Sequence, residues 1–341
     1  MADYHLERLN EDNAARWEEF NSRSAEGSIF HSLKWKRIAE KTSGISSEYY
    51  ILSDGDEVVG LFPFVDHKIH LFHGLIPANN PMSLHAILKD FTDPSIMPYV
   101  IRELQNLYQD QKISFISLSS LHQEMLDAIT IHPLFPYGGD GDMIIDLMRS
   151  PPEKIWNSFS SPKRKMIRRF ERHGFEITEV RCEEELRLFY NYYEANINHI
   201  GGTLQPYSTI VDLWNTFSDD IRVTLLSKGS LVAGGLLQLR DRPRKTVHSV
   251  YLSLNRGLLD KYTPTYYLDW EAVNWAFENN YERFSFGLEY SSDLNENNPR
   301  YRLKRSFRAE FKPVFSALIP LTRLFSIGVR YKNIAKKMRA F

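Results

Sequence analysis

Apolar residues recur along the chain with two periods, one typical of helices and the other of strands. In the first part, a helical pattern stops at Gly44, a residue type that often ends a helix. Two β-rich runs then flank Asp54-Gly55-Asp56, which predicts a hairpin. The predicted elements of this part are a helix (27–44), a hairpin (48–67), a helix (98–110) and a strand (112–120).

The second part of the chain repeats this order of elements. It begins after a strand that ends at Met148, where Pro151-Pro152 introduces a new helix. The predicted elements are a helix from 153, a basic helix (163–173), a strand (175–180), a helix (183–196), a hairpin (223–240), a strand (247–254), a helix (264–279) and a strand (283–289). The repetition predicts a duplicated α+β unit, with domains at 1–148 and 149–318 and a separate segment at 319–341.

Composition supports a globular protein with two domains. The chain has 341 residues, of which 43% are apolar and 25% are charged. The charged N-terminal segment lacks the apolar run of a secretory signal, and no run of about 18 apolar residues occurs. The one cysteine, Cys182, has no partner for an intramolecular disulfide. We therefore expect a cytoplasmic protein.

Charge is divided unequally between the two parts. Residues 1–150 carry 12 Lys and Arg against 22 Asp and Glu, a net charge of −10. Residues 151–341 carry 30 against 21, a net charge of +9. Such asymmetry is typical of a half that binds polyanions, and the alternative is that opposite charges help two domains dock.

The last segment, 321–341, combines apolar residues at helical spacing with six basic residues and no acid. This pattern predicts a basic amphipathic helix that lies on an anionic membrane or on RNA. Packing against its own protein explains the pattern equally well. Peripheral contact with a membrane through 321–341 is thus one of the alternatives for a cytoplasmic protein.

Six segments, taken in order, carry a likeness to a known family. They are FHSLKW (30–35), GLIPANNPM (74–82), IWNSFSSPKRKMIRRFERHGFEI (155–177), LVAGGLLQL (231–239), PTYYLDWEAVNWAFENNYERFSFG (264–287) and YRLKRSFRAEF (301–311). By their order and spacing the chain resembles the Fem-type (FemAB-like) aminoacyltransferases and their GNAT-like acyltransferase relatives. Ser285, Leu303 and Arg308 depart from the Asp, Phe and Gly that are usual there. The helical hairpin that holds tRNA in some members has no counterpart here, so the donor stays open.

The resemblance implies a fold and a reaction. The fold is α+β, with two tandem GNAT-like (acyl-CoA N-acyltransferase-like) domains, each a mixed, mostly antiparallel sheet flanked by helices. The reaction is amide formation between an activated donor, aminoacyl-tRNA or acyl-CoA, and an amine acceptor. No cofactor is tightly bound, and the acceptor is a cell-envelope precursor, either lipid-linked or nucleotide-linked. The alternatives are a conventional acyl-CoA N-acyltransferase and a noncatalytic RNA-binding or scaffold protein that keeps the fold.

The basic helix carries the strongest signal for anion binding. Six Lys and Arg occur within Ser161–Arg172, with a single acid among them. Arg164, Arg168 and Arg172 fall on one ridge of that helix. Arginine suits phosphate because its guanidinium donates two hydrogen bonds at once. We expect Lys163, Arg164 and Arg168 to bind phosphate, and the alternative is a set of salt bridges to the acidic first domain.

Further candidates follow from the resemblance. Lys304 stands at the lysine of the closing motif, where family members contact the acceptor, and the alternative is a strand charge that faces water. Glu289, just past the FSFG strand, is a candidate to hold or deprotonate the incoming ammonium. Tyr251 is a candidate hydrogen-bond donor to a developing oxyanion, and the alternative is an ordinary tyrosine of the core. Trp35, the tryptophan of the early helix, and Tyr266, from an aromatic stretch, complete the expected substrate-binding set.

Other chemistry has little support in the sequence. No HExxH, Walker, GxSxG or GxGxxG pattern occurs, and no metal site is predicted. Cys182 has no histidine near it in sequence, which favours a structural role over a nucleophilic one. The turn at 255–263 contains only Gly257, so the glycine-rich cradle of common acyl-CoA enzymes is missing. Arg256 and Lys261 can supply charge there, or the turn is an ordinary surface loop.

Overall fold

The predicted helices and strands occur in the predicted order, together with others that the sequence pattern did not predict, among them β1, α1, α8 and α10 as defined below. A computed structural model describes residues 3–69, 72–78, 84–110, 113–127, 129, 135–137, 140–259 and 262–328. The strands are β1 (Tyr4–Arg8), β2 (Ser47–Asp54), β3 (Glu57–Ile69), β4 (Phe72–Pro77), β5 (Ile87–Leu88), β6 (Phe115–Ser120), β7 (Phe135–Tyr137), β8 (Asp140–Asp146), β9 (Glu176–Glu179), β10 (Ile221–Lys228), β11 (Leu231–Asp241), β12 (Thr246–Leu254), β13 (Arg283–Tyr290), β14 (Glu310–Pro313) and β15 (Phe315–Pro320). The α-helices are α1 (Ala14–Arg23), α2 (Leu33–Ser43), α3 (Ile96–Leu107), α4 (Gln123–Asp127), α5 (Pro152–Ser158), α6 (Ser161–Arg172), α7 (Glu183–Ile200), α8 (Tyr207–Thr216), α9 (Pro264–Glu278) and α10 (Pro299–Ser306).

Two sheets organise these elements. The first has the strand order β1-β2-β3-β4-β6-β15-β7, with β5 beside β3. The second has the order β14-β8-β13-β12-β11-β10-β9. Most of the pairings are antiparallel, and β4 with β6 and β12 with β13 are parallel. Each sheet is therefore mixed and mostly antiparallel, as predicted.

The chain divides into two units that differ from the predicted domains. The discontinuous unit comprises Met1–Asp140 and Pro313–Phe341, and the inner unit comprises Gly141–Lys312. The predicted domains, 1–148 and 149–318, assign β8 to the first domain and most of β15 to the second. Strand β8 lies in the second sheet beside β13, whereas β15 pairs with β6 and β7 of the first sheet. Each of the two strands thus pairs with strands far from it in sequence, which a linear pattern of helices and strands does not reveal.

The segment predicted at 319–341 is described only as far as residue 328. Its Phe325 packs against Phe72 and Phe115, with ring centroids 5.1 and 4.5 Å apart. This part of the apolar face therefore covers its own unit. Residues 329–341, most of the predicted helix, lie outside the described residues. In the portion of the chain that can be described, no helix is long and apolar enough to cross a bilayer.

The core of the inner unit lies between its sheet and helices α5, α6 and α9. Ile167 and Phe170 of the basic helix α6 are buried in it, as predicted from the spacing of apolar residues on that helix. Strands β8, β11 and β13 contribute alternate side chains such as Met143, Leu236 and Phe284. The charged face of α6 is consequently left on the surface of this unit.

Strands β12 and β13 are paired over only part of their length. Their parallel register joins Thr246 to Arg283, Val247 to Phe284 and His248 to Ser285 and then stops, although both strands are fully described to their ends. On the other side of β12, the register with β11 shifts so that Val250 is an extra, bulged residue. The two strands therefore diverge and leave an opening within the sheet, which we call the β12/β13 cleft.

Candidate functional site

The β12/β13 cleft is bounded by residues 249–254 of β12 and 286–290 of β13. At its narrow end the strands still touch, since a Cβ added at Gly287 would meet the Ser249 carbonyl oxygen at 3.4 Å. Gly287 has φ +76°, a conformation that L side chains rarely adopt. Where parallel strands separate, backbone N–H and C=O groups lose their ladder partners and can bond to a bound molecule. Two predicted site residues, Tyr251 and Glu289, lie on the two opposing strands.

Glu289 is the centre of a buried ion-pair network. Its side chain has no exposed surface, and its carboxylate lies 3.0 Å from Arg300 Nε and 2.9 Å from Lys304 Nζ. Lys304 also donates to the carbonyl oxygens of Gly287 and Leu288 at 3.4 and 3.2 Å. Burial lowers the pKa of Lys304, and the charge of Glu289 opposes that shift. Lys304 therefore ties the second half of β13 to α10.

This placement contradicts the alternative interpretation of Lys304, a strand charge that faces water. The residue belongs to helix α10, not to a strand, and only 6% of it is exposed. The Lys304 ammonium contacts the Glu289 carboxylate and the carbonyl oxygens of Gly287 and Leu288. To bind phosphate, it must replace one of these three oxygens with a phosphate oxygen. Phosphate binding stays a prediction for this residue. Glu289 has both oxygens close to cations, Arg300 at one and Lys304 at the other.

Two buried acids join this network and were not among the predicted site residues. Asp142 on β8 accepts hydrogen bonds from Ser285 Oγ at 2.7 and 2.6 Å. Burial raises the pKa of Asp142, while the Ser285 hydrogen bond and the Lys304 charge oppose the shift. Asp269 on α9 is 5% exposed, and burial raises its pKa to about 7 against the opposing charge of Lys304. For Asp269 a sequence signal existed, since this acid stands between Leu268 and Trp270 in an aromatic stretch. Asp142 ends the run GGDGD (138–142) and had no such signal.

Tyr251 lies on the β12 side of the cleft, where it packs against Tyr193 of α7 with ring centroids 5.2 Å apart. Burial raises the pKa of the Tyr251 hydroxyl. The group therefore stays protonated at neutral pH and is able to donate a hydrogen bond. Its role as a donor to an oxyanion stays a prediction.

The predicted phosphate-binding residues of α6 have other partners. Lys163 Nζ lies 4.9 Å from the ring centres of Phe159 and Tyr266. Arg164 donates to the Phe159 carbonyl at 2.6 Å, and the Arg168 guanidinium lies 5.1 Å from the Trp156 ring. The ridge that includes Arg164 and Arg168 thus faces aromatic rings and backbone rather than one common pocket. Tyr266 is accordingly a contact of Lys163, and its role toward a substrate stays a prediction.

A different set of α6 cations lines a groove of about 530 Å³. We call it the α6 groove, and its lining residues are Pro162, Lys165, Met166, Arg169, Arg172 and His173. Arg169 stacks on Tyr262, and His173 Nδ1 shares a hydrogen bond of 2.7 Å with the Tyr262 hydroxyl. Tyr262 closes the turn that leads into α9. The α6 groove therefore adjoins the turn at 255–263, where Arg256 and Lys261 were predicted to supply positive charge.

In that turn, the Asn255 side chain accepts a hydrogen bond from Gly257 N at 3.1 Å and holds a short 3₁₀ helix. Arg256 Nε is shielded from solvent and has no hydrogen-bond partner among the residues that the structure describes. Thr263, a residue type that often caps helices, makes no capping bond to α9. Lys261, the other cation predicted there, lies outside the described residues.

Trp35 and Cys182 are the two remaining residues that the sequence singled out. Trp35 is in the discontinuous unit, is 2% exposed and packs edge-on against Phe30 with centroids 4.9 Å apart. Its side chain contributes to the core of that unit, and contact with a substrate stays a prediction. Cys182 is exposed at the start of α7. Within the described ranges, no group of three or more His, Cys, Asp or Glu side chains is arranged to hold a metal ion.

Lys163 offers a first test of this geometry. Burial between two rings lowers the pKa of Lys163 to about 8, so about a tenth of its amine is neutral at pH 7, against a few ten-thousandths for an ordinary lysine. We expect acetic anhydride at pH 7 to label Lys163 about tenfold to a hundredfold faster than Lys165, which is exposed on the same helix. Peptide mass spectrometry of briefly labelled protein measures both rates. Equal labelling would show that the rings do not enclose the amine.

Comparison with known proteins agrees with this fold. Residues 161–301 match the family model described as an acetyltransferase (GNAT) domain. No curated protein matches the chain in sequence. In structure, the chain is similar to FemX, with a TM-score of 0.68 at 10% identity over 92% of this chain and 96% of that one.

Two further structures share the fold. One is the C-terminal domain of a putative lysylphosphatidylglycerol synthetase from Agrobacterium fabrum, with a TM-score of 0.57 at 12% identity over 92% and 93% of the two chains. The other is a tandem GNAT protein from the clavulanic acid biosynthesis pathway, with a TM-score of 0.55 at 9% identity over 93% and 98%. The resemblance to Fem-type and GNAT-like proteins is confirmed at the level of the fold, and so is the predicted class of two tandem GNAT-like α+β domains.

Proposed function

We propose that the protein is an N-acyltransferase, which moves an acyl or aminoacyl group from an activated ester or thioester to an amine and forms an amide. The observation that carries the proposal is the β12/β13 cleft, which lies within the residues that match the GNAT domain model. Amide formation needs a bound carbonyl, donors that stabilise its developing negative charge, and an amine held nearby. The inner unit contains groups suited to each of these tasks.

The acyl group of the donor is proposed to lie in the cleft. Strand residues without ladder partners present backbone N–H groups there, which bond to an extended acyl chain as another strand would. Tyr251 contributes a protonated hydroxyl, because burial raises its pKa. A hydroxyl of this kind stabilises an oxyanion without carrying charge itself. Lys304 holds the opposing strand through Gly287, Leu288 and Glu289.

The carrier of the donor is proposed to bind in the α6 groove. Lys165, Arg169 and Arg172 line it, and the unpartnered Arg256 Nε lies in the turn that ends at Tyr262, itself in contact with Arg169. Phosphates are the anions that such clustered guanidinium groups bind best. Both candidate donors carry phosphates: acyl-CoA has a diphosphate, and aminoacyl-tRNA has a chain of phosphodiesters. The groove thus supports an anionic carrier, and its charge is compatible with both CoA and tRNA.

The acceptor is proposed to be a primary amine of a cell-envelope precursor, either lipid-linked or nucleotide-linked. Support comes from the fold shared with FemX and with a domain of a putative lysylphosphatidylglycerol synthetase, whose name refers to an aminoacylated lipid. Membrane contact through 321–341 belongs to the same proposal, and Leu324 and Ile327 at the described start of this segment are exposed. Equal sedimentation of the full chain and a chain ending at Pro320 with anionic vesicles would contradict that contact.

The decisive experiment identifies the donor and then the reaction. Molecules that copurify with the protein are identified by mass spectrometry, and acetyl-CoA and alanyl-tRNA are compared as donors to a panel of primary amines. Transfer from alanyl-tRNA supports aminoacyl transfer, whereas micromolar binding of CoA with transfer from acetyl-CoA supports a conventional N-acyltransferase. RNA binding without transfer to any amine would overturn the catalytic proposal in favour of a noncatalytic RNA-binding protein.

Neutralising the α6 groove gives a second test. We expect Arg169→Gln with Arg172→Gln to weaken binding of the donor about tenfold to a hundredfold, because two charge-assisted contacts to phosphate are lost. For tRNA, the slope of log K against log salt should also fall in magnitude by about 2. The matched control is Arg181→Gln with Arg283→Gln, two exposed arginines of the same unit outside the groove. Equal loss in the two double variants would show a diffuse charge effect instead of a groove.

A further inference from the structure

Two polar side chains between helix α7 and strand β12 are buried with an unpaired oxygen. Asn196 of α7 is 5% exposed, and its Oδ1 is shielded from solvent and has no hydrogen-bond partner in the part of the chain that is described. Ser253 of β12 is fully buried, and its Oγ likewise has no partner among the described residues. Buried polar atoms are nearly always hydrogen-bonded, because an unpaired one destabilises the fold. Two such atoms between the same helix and strand indicate a place where a polar molecule binds.

The Asn196 amide lies on the wall of the β12/β13 cleft. Its Nδ2 donates to the Leu252 carbonyl oxygen at 3.4 Å. Asn255 N donates to the Ala233 carbonyl oxygen at 3.0 Å, so the backbone groups of Asn255 point toward β11. Successive residues of a strand point these groups in opposite directions, and the register with β11 is regular from 251 to 254. Leu252 therefore points its carbonyl toward the other edge of β12, where the pairing with β13 has ended.

The two unpaired oxygens share one face of β12. Tyr251 and Ser253 are two residues apart on the strand, so their side chains point to the same side of the sheet. That side is the one covered by α7, because Tyr251 packs against Tyr193 with ring centroids 5.2 Å apart. Asn196 follows Tyr193 by three residues and lies on the same face of the helix. Asn196 thus reaches the cleft from the side on which Tyr251 lies.

The polar groups of this wall are neutral and mostly accept hydrogen bonds. Asn196 Oδ1 and the Leu252 carbonyl oxygen are acceptors only, whereas the Ser253 hydroxyl donates or accepts. Two neighbouring acceptors suit a nitrogen that carries two N–H groups, as the nitrogen of a primary amine does. Neither acceptor carries a charge to balance an ammonium, and burial favours the neutral form of an amine. The neutral form is also the one with a lone pair for attack on an acyl carbon.

We propose that Asn196 selects the amine substrate: its Oδ1, together with the Leu252 carbonyl oxygen, binds the two N–H groups of a neutral primary amine beside the acyl group in the β12/β13 cleft. This inference rests on the acyl transfer proposed above and names the residue that recognises the amine. A secondary amine has one N–H group fewer, so it leaves one of the two buried acceptors unpaired and is bound less well. The expected substrates are therefore primary amines rather than their N-methyl derivatives.

Atoms and electrons balance for an amine held in this way. Its lone pair forms the C–N bond to the acyl carbon. The C–O bond of an ester donor, or the C–S bond of a thioester donor, breaks with its electron pair on the leaving atom. One proton of the nitrogen passes to that atom, which leaves as an alcohol or a thiol, and the product is a neutral amide. Asn196 binds the nitrogen and exchanges no proton with it.

Stability in the absence of substrates gives the first test. Asn196→Leu keeps the approximate volume of the side chain and removes an oxygen that is buried without a partner. The nitrogen that is lost with it makes only a long bond of 3.4 Å. We expect the Tm of the variant to equal or exceed that of the wild type, since buried polar groups kept for function are a cost to the fold. A fall in Tm of more than about 4 °C would show that the amide serves to hold α7 on β12, and would overturn the proposal.

The second test measures recognition of the amine. With acetyl-CoA or alanyl-tRNA, whichever is turned over, and the best primary amine of the panel, we expect Asn196→Leu to lower kcat/KM for the amine about 10–100-fold, while KM for the donor stays within about twofold. The preference of the wild type for this amine over its N-methyl derivative should be largely lost. The matched control is Asn274→Leu on α9, whose amide donates to the Trp270 carbonyl oxygen of its own helix at 2.7 Å. This variant should keep both KM values and the preference.

A binding measurement needs no donor. The probe is 2,2,2-trifluoroethylamine, a primary amine that is largely neutral at neutral pH because its fluorines withdraw electrons, and its ¹⁹F resonance reports binding. We expect Asn196→Leu to weaken binding of the probe about tenfold or more relative to the wild type and to Asn274→Leu. The N-methyl derivative of the probe should bind weakly to all three proteins. Equal binding of the probe by all three proteins would overturn the proposal.

The outcomes separate this inference from the proposed function. Transfer by the wild type with an unchanged KM for the amine and an unchanged preference in Asn196→Leu overturns the role of Asn196 and leaves acyl transfer standing. A rise confined to the KM for alanyl-tRNA also overturns it, because the amide then binds the amino group of the donor. Probe binding that depends on Asn196, without transfer by the wild type to any amine, keeps the amine site and overturns the proposed function. Loss of the preference with Tm retained supports both.

Discussion

Lys304→Met is expected to destabilise the inner unit by about 3 kcal/mol, because the change removes one partner of a buried ion pair. Glu289, which has no exposed surface, then keeps only Arg300, a residue half exposed to solvent. The carbonyl oxygens of Gly287 and Leu288 also lose a donor. Urea unfolding, monitored by hydrogen–deuterium exchange of peptides from β13, measures the loss of unfolding free energy within this unit.

The double variant Lys304→Met with Glu289→Met separates charge burial from packing. Replacing both members of a buried pair with apolar residues of similar volume is often neutral or stabilising, so we expect most of the lost stability to return. Lys312→Met is the exposed control, since both members of its pair with Glu310 are more than half exposed, and it should change stability by less than about 0.5 kcal/mol. An equal loss for Lys304→Met and Lys312→Met would contradict the buried network.

In the double variant Lys304→Met with Glu289→Met, we expect stability to recover without recovery of the transfer activity. Lys304 fixes the strand that bounds one side of the β12/β13 cleft, and misplacement by about 1 Å of groups that orient a substrate is enough to cost about 10²-fold in rate. We therefore expect the double variant to be stable and still impaired by about this factor. Full activity in the double variant would show that β13 holds its position without the ion pair.

Gly235→Ala is expected to cost about 3 kcal/mol or more, which is the largest effect anticipated for a change of one methyl group in this chain. A Cβ at this position would lie 2.1 Å from the Thr224 carbonyl oxygen of β10 and 3.0 Å from the Phe189 ring. The carbonyl belongs to the backbone of the adjacent strand, so it cannot move aside without breaking the ladder between β10 and β11. Exchange of amide hydrogens in β10 and β11 reports the opening of this ladder.

A glycine on the surface of the same unit is the control for this prediction. At Gly257, the nearest atom to an added Cβ is Asn255 Oδ1 at 3.4 Å, an ordinary contact. Gly257→Ala should therefore stay within about 0.5 kcal/mol of the wild type. If alanine is tolerated equally at 235 and 257, the register of β10 against β11 is wrong.

The glycine pair also shows what a sequence pattern can and cannot convey. Gly234-Gly235 lies in a segment that resembles the Fem-type family and within the hairpin predicted at 223–240, but the pattern gives no reason for two glycines there. The structure supplies the reason for both glycines, since a Cβ at Gly234 would lie 2.5 Å from the Ser253 carbonyl oxygen of β12. Gly235 thus allows β10, and Gly234 allows β12, to pack closely against β11. Local patterns predicted the strands here because alternation and turns are properties of short segments.

Predictions for the site were weaker because its contacts join distant parts of the chain. Glu289 and Lys304 were both identified, but their contact depends on how α10 folds back onto β13, which no local pattern encodes. Asp142 and Asp269 were missed because neither belongs to a recognisable motif, and the sequence does not show that the charge of Lys304 acts on both. On α6, helical spacing grouped Arg164 with Arg168, whereas the structure directs both toward aromatic rings and backbone.

The position of β15 has a consequence for how the protein is made. This strand lies between β6 and β7, and its Ser316 bonds to Ser119, a residue 197 positions earlier. At about 5–20 residues per second, translation takes about 10–40 s to cover that distance. During this interval β6 emerges from the ribosome with one edge uncovered, and exposed edges invite pairing with other chains. Nascent protein is therefore expected to depend on chaperones until β15 is synthesised.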